Sequence, residues 1–187
     1  MDERYAIGYH GTSSDRADAI LKGSFDAKPR EGSWLGVGQY FFYRGERHAA
    51  AWATAVSKRP KPAAAGAHPV VLECTIDLEN CINLLDNTHW DNLRAVAQRL
   101  VGSPSQLSPQ ALYEVPRNPD LGRNVDDYKV MNAYISAVRS LKPVTSIIAA
   151  FIEGYPIQSH SWLFDQSHVC ISALTKDVIS LRKRTDL

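Results

Sequence analysis

The sequence has almost no charge of one sign to spare. Lys and Arg total 21 against 20 for Asp and Glu, a formal net charge of +1. That balance removes the global electrostatic case for a nucleic-acid or anionic-membrane partner, which needs a basic excess. The one cationic cluster, "LRKR" at residues 181–184, reads as a solvated C-terminal tail. Long apolar runs are also missing: the longest, "IIAAFI" at 147–152, is far too short to span a bilayer. The opening "MDERYAIG" places acids where a secretory leader needs bases. Cys74, Cys81 and Cys170 are odd in number and lack ligand spacing, so neither a disulfide framework nor a zinc site is expected. The six histidines contain no His-x-x-x-His, and no metal is expected. These absences together point to a cytosolic protein without a membrane partner.

What is present is ordinary globular material, 44% hydrophobic and 22% charged over 187 residues. That length suits one domain, residues 1–187, with a sizeable core. "RYAIGYH" reads as a strand ending at His10, and "SSDRADAILKG" as a helix with Ser13 or Ser14 as N-cap and Gly23 just past its end. Residues 24–38 are rich in glycine, proline and charge, and read as an exposed loop. "QYFFY" is a short aromatic strand, "GERHAAAWATAVSKR" an alanine-rich helix and "VVLECTIDL" a buried strand. Residues 88–141 look mainly helical, and "VTSIIAAFIEG" and "SHVCISAL" close the chain as two strands. Strands at both ends around a helical insertion, without regular alternation, make the fold class α+β.

Two familiar chemistries are excluded by their motifs. "LGVGQYFF" lacks the third small residue of a dinucleotide fingerprint, since Phe41 holds that place, and it leads into a strand where a helix is required. Its glycines are expected to let a loop pass close to a ligand or turn sharply into "QYFFY". No Gly-x-Ser-x-Gly elbow exists for a serine hydrolase. Alone, His10 is a satisfied strand-end histidine and Tyr40 a cross-strand aromatic.

Together they say more. "YHGT" ends the first strand, "GVGQYF" opens the aromatic strand, and "RHAAAWA" follows as a helix, in that order. This resembles the diphtheria-toxin and poly(ADP-ribose)-polymerase branch of the ADP-ribosyltransferases. The likeness is sharpest over residues 5–56. "VLECTIDLENCINLLD", "FIEGYPI" and "SHVCIS" are further similar to uncharacterised bacterial members of that superfamily. The resemblance implies an ADP-ribosyltransferase-like fold: two small packed β-sheets around an NAD cleft, with residues 88–141 as a helical insertion near one edge. It implies NAD as substrate, cleaved at the nicotinamide–ribose bond, with ADP-ribose passed to a macromolecular acceptor, protein or nucleic acid. A toxin, effector or phage-defence role, with an antitoxin or immunity partner, goes with it.

By the same resemblance, His10 would bind the adenosine ribose, the Gly11 backbone the nicotinamide carboxamide, and Tyr40 would stack on nicotinamide, aided by Tyr43 or Phe42. Thr12, next in the motif, joins them as a cofactor-binding candidate. Tyr40 and Tyr43 are three residues apart and should face opposite sides of one strand. Trp34, in the loop, is a candidate to cover the dinucleotide or meet a target. The family's third residue, usually glutamate, opens a late strand; here Gln166 takes that place. A glutamine can hold the ribose but cannot act as a base. His168, on the same strand face, and Glu153, at the end of the preceding strand, are the other catalytic candidates. The alternatives are an NAD glycohydrolase and a non-catalytic NAD or ADP-ribose binding module.

Overall fold

The structure is a computed structural model that describes residues 4–23, 25, 33–59, 66–101, 125–159, 161 and 163–187. The middle of the expected helical insertion, residues 102–124, lies outside them. In chain order the elements are β1 (Tyr5–Ser13), α1 (Ser14–Leu21), β2 (Gln39–Tyr43), α2 (Glu46–Ser57), β3 (Pro69–Asp77) and β4 (Cys81–Asn83). There follow α3 (Trp90–Val101), α4 (Val125–Arg139), β5 (Ser146–Phe151), β6 (His168–Ala173), a 3-10 turn (Lys176–Val178) and β7 (Ile179–Asp186). The α+β class holds. Among the described residues no helix is long and apolar enough to cross a membrane.

The strands form one seven-stranded sheet in the order β4-β5-β6-β2-β1-β3-β7. This differs from the two packed sheets that the resemblance implied. The reason is a narrow join: β1 pairs with β3 from Tyr5 to Ser13, but with β2 only at Gly8↔Tyr43 and Tyr9↔Phe42. Those pairs suffice to make the ladder continuous. All neighbours are antiparallel except β4 and β5.

Alternation along the strands sorts side chains to two faces. On one face, Leu72, Cys74 and Ile76 of β3 pack with Phe41, Ile171 and Ala17 of α1. On the other face, α3 and α4 lie over β5 and β6, joining Leu93, Val130 and Tyr134 to Ile147 and Cys170. The helices expected as an insertion near an edge are thus the core layer of the β4–β2 half. On that same face α2 covers the β1–β3 half through Ala49, Ala53 and Val71. Its closeness is set by Gly11, where an added Cβ would sit 2.0 Å from the Ala49 carbonyl oxygen.

Helix α1 starts and stops nearly as its sequence suggests. Ser13 has extended N-cap dihedrals although its hydroxyl makes no cap bond, and Gly23 ends the helix at φ +116°. The "LRKR" segment is not a free tail: it lies in β7, an edge strand laid along β3. Its charges are what an edge strand carries to discourage further pairing, so composition alone read it as tail. β4, three residues long, is too short to leave a periodic signal.

Candidate functional site

Past Tyr9 and Phe42 the strands β1 and β2 part, and β1 continues against β3 alone while β2 continues against β6. His10 sits at the head of this gap. Its Nδ1–H donates to the Tyr40 carbonyl oxygen across the opening, at 2.8 Å. A carbonyl only accepts, so the ring proton is fixed on Nδ1, and Nε2 is the acceptor atom of the neutral ring. The imidazole rests against Phe41 (centroids 5.6 Å apart) and Phe25 (6.4 Å), on the α1 face of the sheet. Gly8 makes room for this packing, since a Cβ there would lie 2.8 Å from that of Phe41.

Gly11 and Thr12 are both buried in β1. The side-chain position of Gly11 is taken up by α2, which gives this glycine a packing reason independent of any ligand. Tyr40 and Tyr43 do face opposite sides: Tyr40 packs against the α3–α4 core and Tyr43 against the α1 core. The Arg44 guanidinium lies over the Tyr43 ring, 5.3 Å from its centre.

The Tyr40 hydroxyl is tied down twice, accepting from the Leu35 N–H at 2.8 Å and donating to the Gly36 carbonyl at 2.9 Å. Burial pushes its phenol well above the ordinary tyrosine range. The "LGVG" loop is held from its other side by α4, where Asn132 Oδ1 accepts from the Val37 N–H at 3.1 Å. Gly36, at φ +73°, presses so close to Asn132 that a Cβ would lie 2.7 Å from Oδ1. At Gly38 a Cβ would meet the Ser172 hydroxyl at 2.1 Å. Close approach of protein to protein therefore explains these glycines.

The late-strand residues fall differently from the expected register. β6 begins at His168, and Gln166 is an exposed residue of the preceding turn. The turn is shaped by Gly154 at φ +84°, where a Cβ would lie 2.9 Å from the Gln166 Cβ. The residue that opens the strand and points inward is His168, with its side chain only 9% exposed. Its Nδ1–H donates to the main-chain carbonyl of Gln166 at 2.9 Å, and a Glu153 carboxylate oxygen lies 3.8 Å from the same nitrogen. Gln166 thus enters through its backbone. Nε2 is left as the basic atom of the neutral ring, oriented by a carbonyl and backed by a carboxylate.

Around His168 stand Phe42 (5.0 Å between centroids), His48 (5.5 Å) and Phe151 (5.8 Å). Trp34 of the loop packs on Phe151 at 4.7 Å. Cys170, next on the same face, has its thiol pushed up to about 12 by burial, with the Glu153 charge adding to it. His48 is the member of this cluster that the sequence did not single out. The available signal was its bulk among the alanines of "RHAAAWA", in the first turn of a helix that directly follows β2.

The candidates therefore form two groups. His10, Thr12 and Tyr43 belong to the α1 face, whereas Gly11, Tyr40 and His168 belong to the α2–α4 face, with Glu153 beside His168. The gap between β1 and β2 connects the groups, through the bond from His10 to Tyr40. A shallow cavity of about 480 Å³ lies elsewhere, lined by Asn87, Trp90, Asp91 and Arg94. Asp91 and Arg94 there engage each other at 2.8 Å, both exposed, so the chemistry is better sought around His10, Tyr40 and His168. Comparison with protein-family models and with curated proteins gave no match for this chain.

Proposed function

We propose that this protein is an NAD-consuming mono-ADP-ribosyltransferase in which His168 fills the third motif place. One observation carries the reading: an inward-facing, carboxylate-backed histidine opens β6, the strand that pairs with β2, on the sheet face that Tyr40 and Phe42 share. In this reading Tyr40 supports the nicotinamide, His10 holds a ribose hydroxyl, and the nicotinamide–ribose bond breaks as the ribose gains oxocarbenium character. The leaving group is neutral nicotinamide. The acceptor X–H adds to the ribose carbon, and His168 Nε2 takes its proton, which is then released to solvent. Glu153 favours the imidazolium so formed.

The test is incubation of the protein and a cell lysate with NAD labelled in its adenosine half, scoring nicotinamide release and label transfer. Release with label in protein or nucleic acid supports the transferase. Release with no label incorporated makes water the acceptor, and the protein a glycohydrolase. NAD bound in calorimetry without any release leaves a binding module, and absence of both binding and release removes the reading.

A further inference from the structure

Between β5 and β6, residues 153–157 and 163–166 form the two arms of a short ribbon around the antiparallel pair Pro156 and Phe164. The Ile157 N–H donates to the Leu163 carbonyl at 3.0 Å, and the Asp165 N–H to the Tyr155 carbonyl at 3.0 Å. The Asp165 carboxylate accepts from the Tyr155 N–H at 2.9 Å. At the foot of the ribbon the Gln166 N–H donates to the Glu153 carbonyl at 3.3 Å. Main-chain bonds and one carboxylate therefore give this segment its shape.

Three of its large side chains are left outside the fold. In an antiparallel pair, residues directly opposite and residues two apart share a face. That alternation puts Tyr155, Ile157, Leu163 and Asp165 on one face of the ribbon. Tyr155 is 70% exposed, Ile157 62% and Leu163 67%, and Asp165 is exposed with them. Large apolar groups held out in water on a preshaped element mark a recognition surface, since little ordering is left for binding to cost. The charge nearby is of one sign. No Lys or Arg occurs between Lys142 and Lys176, whereas Glu153 and Asp165 do.

We propose that this ribbon docks a protein partner, one that offers an apolar pocket edged by Lys or Arg. Tyr155, Ile157 and Leu163 fill the pocket, and the two acids meet its basic edge. A nucleic acid is disfavoured, because its phosphates need cations that this stretch lacks. A partner seated there lies beside His168, whose Nδ1–H is bonded to the Gln166 carbonyl at the foot of the ribbon. Docking at the ribbon does not depend on the transferase reading.

The experiment selects random dodecapeptides displayed on phage against the wild type. Enriched peptides are then titrated against the wild type, the triple variant Tyr155→Ser/Ile157→Ser/Leu163→Ser, and Asp165→Asn. They should combine aromatic or aliphatic residues with Lys or Arg, and bind the triple variant about tenfold or more weakly. Asp165→Asn, which keeps the bond to the Tyr155 N–H, should weaken them about two- to fivefold, an effect that fades in high salt. The triple variant should melt with the wild type, and a large fall in its melting temperature would assign the three side chains to the fold instead. Enriched peptides that are acidic, or that bind the triple variant equally well, overturn the proposal, as does enrichment of none. Single-stranded DNA or RNA whose binding is lost in the triple variant would overturn it in favour of nucleic acid. Self-association in sedimentation that the triple variant abolishes would overturn it in favour of a second copy of this chain.

Discussion

The two halves of the sheet are built for different work. In the outer half, β1 and β3 are nine residues each, paired from end to end, and sealed by α2 against a glycine. In the inner half, β2 and β6 are five and six residues long, and their inward faces carry Tyr40, Phe42 and His168. The outer half resembles a rigid wall, whereas the inner half sets polar groups among aromatic rings at the strand ends. On the proposed reading the long ladder and the candidate base lie on opposite sides of a two-pair join, with His10 of β1 reaching across it to Tyr40.

Substitutions should divide along that line. The largest effect is expected from His168→Gln, which keeps the volume but removes the base. It should lower nicotinamide release about 10²–10⁴-fold while leaving the melting temperature nearly unchanged. Gln166→Ala, two residues before it, should leave release near the wild-type rate, because Gln166 contributes its main-chain carbonyl. Loss of turnover in Gln166→Ala with normal turnover in His168→Gln would reverse the assignment.

Gly11→Ala should do the opposite. Its Cβ must displace the α2 backbone at Ala49, which costs about 3 kcal/mol in urea unfolding. NAD affinity per folded molecule should fall only if the displacement reaches the adjacent His10. An unaffected unfolding midpoint would show that α2 is not seated on β1 as described.

Tyr40→Phe lies between these cases. It strands the Leu35 N–H and the Gly36 carbonyl, a loss of about 1–2 kcal/mol. The ring remains, so nicotinamide contact should persist, whereas Tyr40→Ala should remove both.

The smallest effect concerns pH and the helical layer. Burial holds the His89 ring below the usual histidine range, with nearby Lys142 adding to it, and its Nδ1 is bonded to the Tyr134 hydroxyl at 2.7 Å. The unfolded chain binds a proton here near pH ~6.5, before the folded one does. Stability should therefore be full above that pH and decline as the medium falls toward the folded midpoint. His89→Gln should flatten this slope in thermal unfolding between neutral and mildly acid pH.

Much of this comparison was legible in the sequence, and the failures share a cause. β-Branched and aromatic density found β1, β2, β3, β5 and β6, and residue parity sent Tyr40 and Tyr43 to opposite faces. What the pattern lacked was the start of β6. "DQSH" is polar throughout, and the boundary is set by the bend at Gly154, beyond the end of β5, which leaves Gln166 outside and His168 first in line. The edge strand β7 escaped because it hides no hydrophobic face, and "ISLRKRTD" has the composition of a tail. His48 was missed because its partner ring is 120 residues away in sequence and only the fold brings the two together.

The position of β7 also bears on how the chain is made. β3 lies between β1, the first strand, and β7, the last, with Arg184 of β7 reaching back to Asp18 of α1. During synthesis β1, β2 and β3 emerge early, yet one long side of β3 stays without its ladder until residues 179–186 leave the ribosome. The nascent chain must therefore carry an open, β-branched edge while the residues between β3 and β7 are being made. A chain stalled or truncated before β7 should be prone to pair that edge with a neighbour, and the late strand serves as the stitch that closes the molecule to itself.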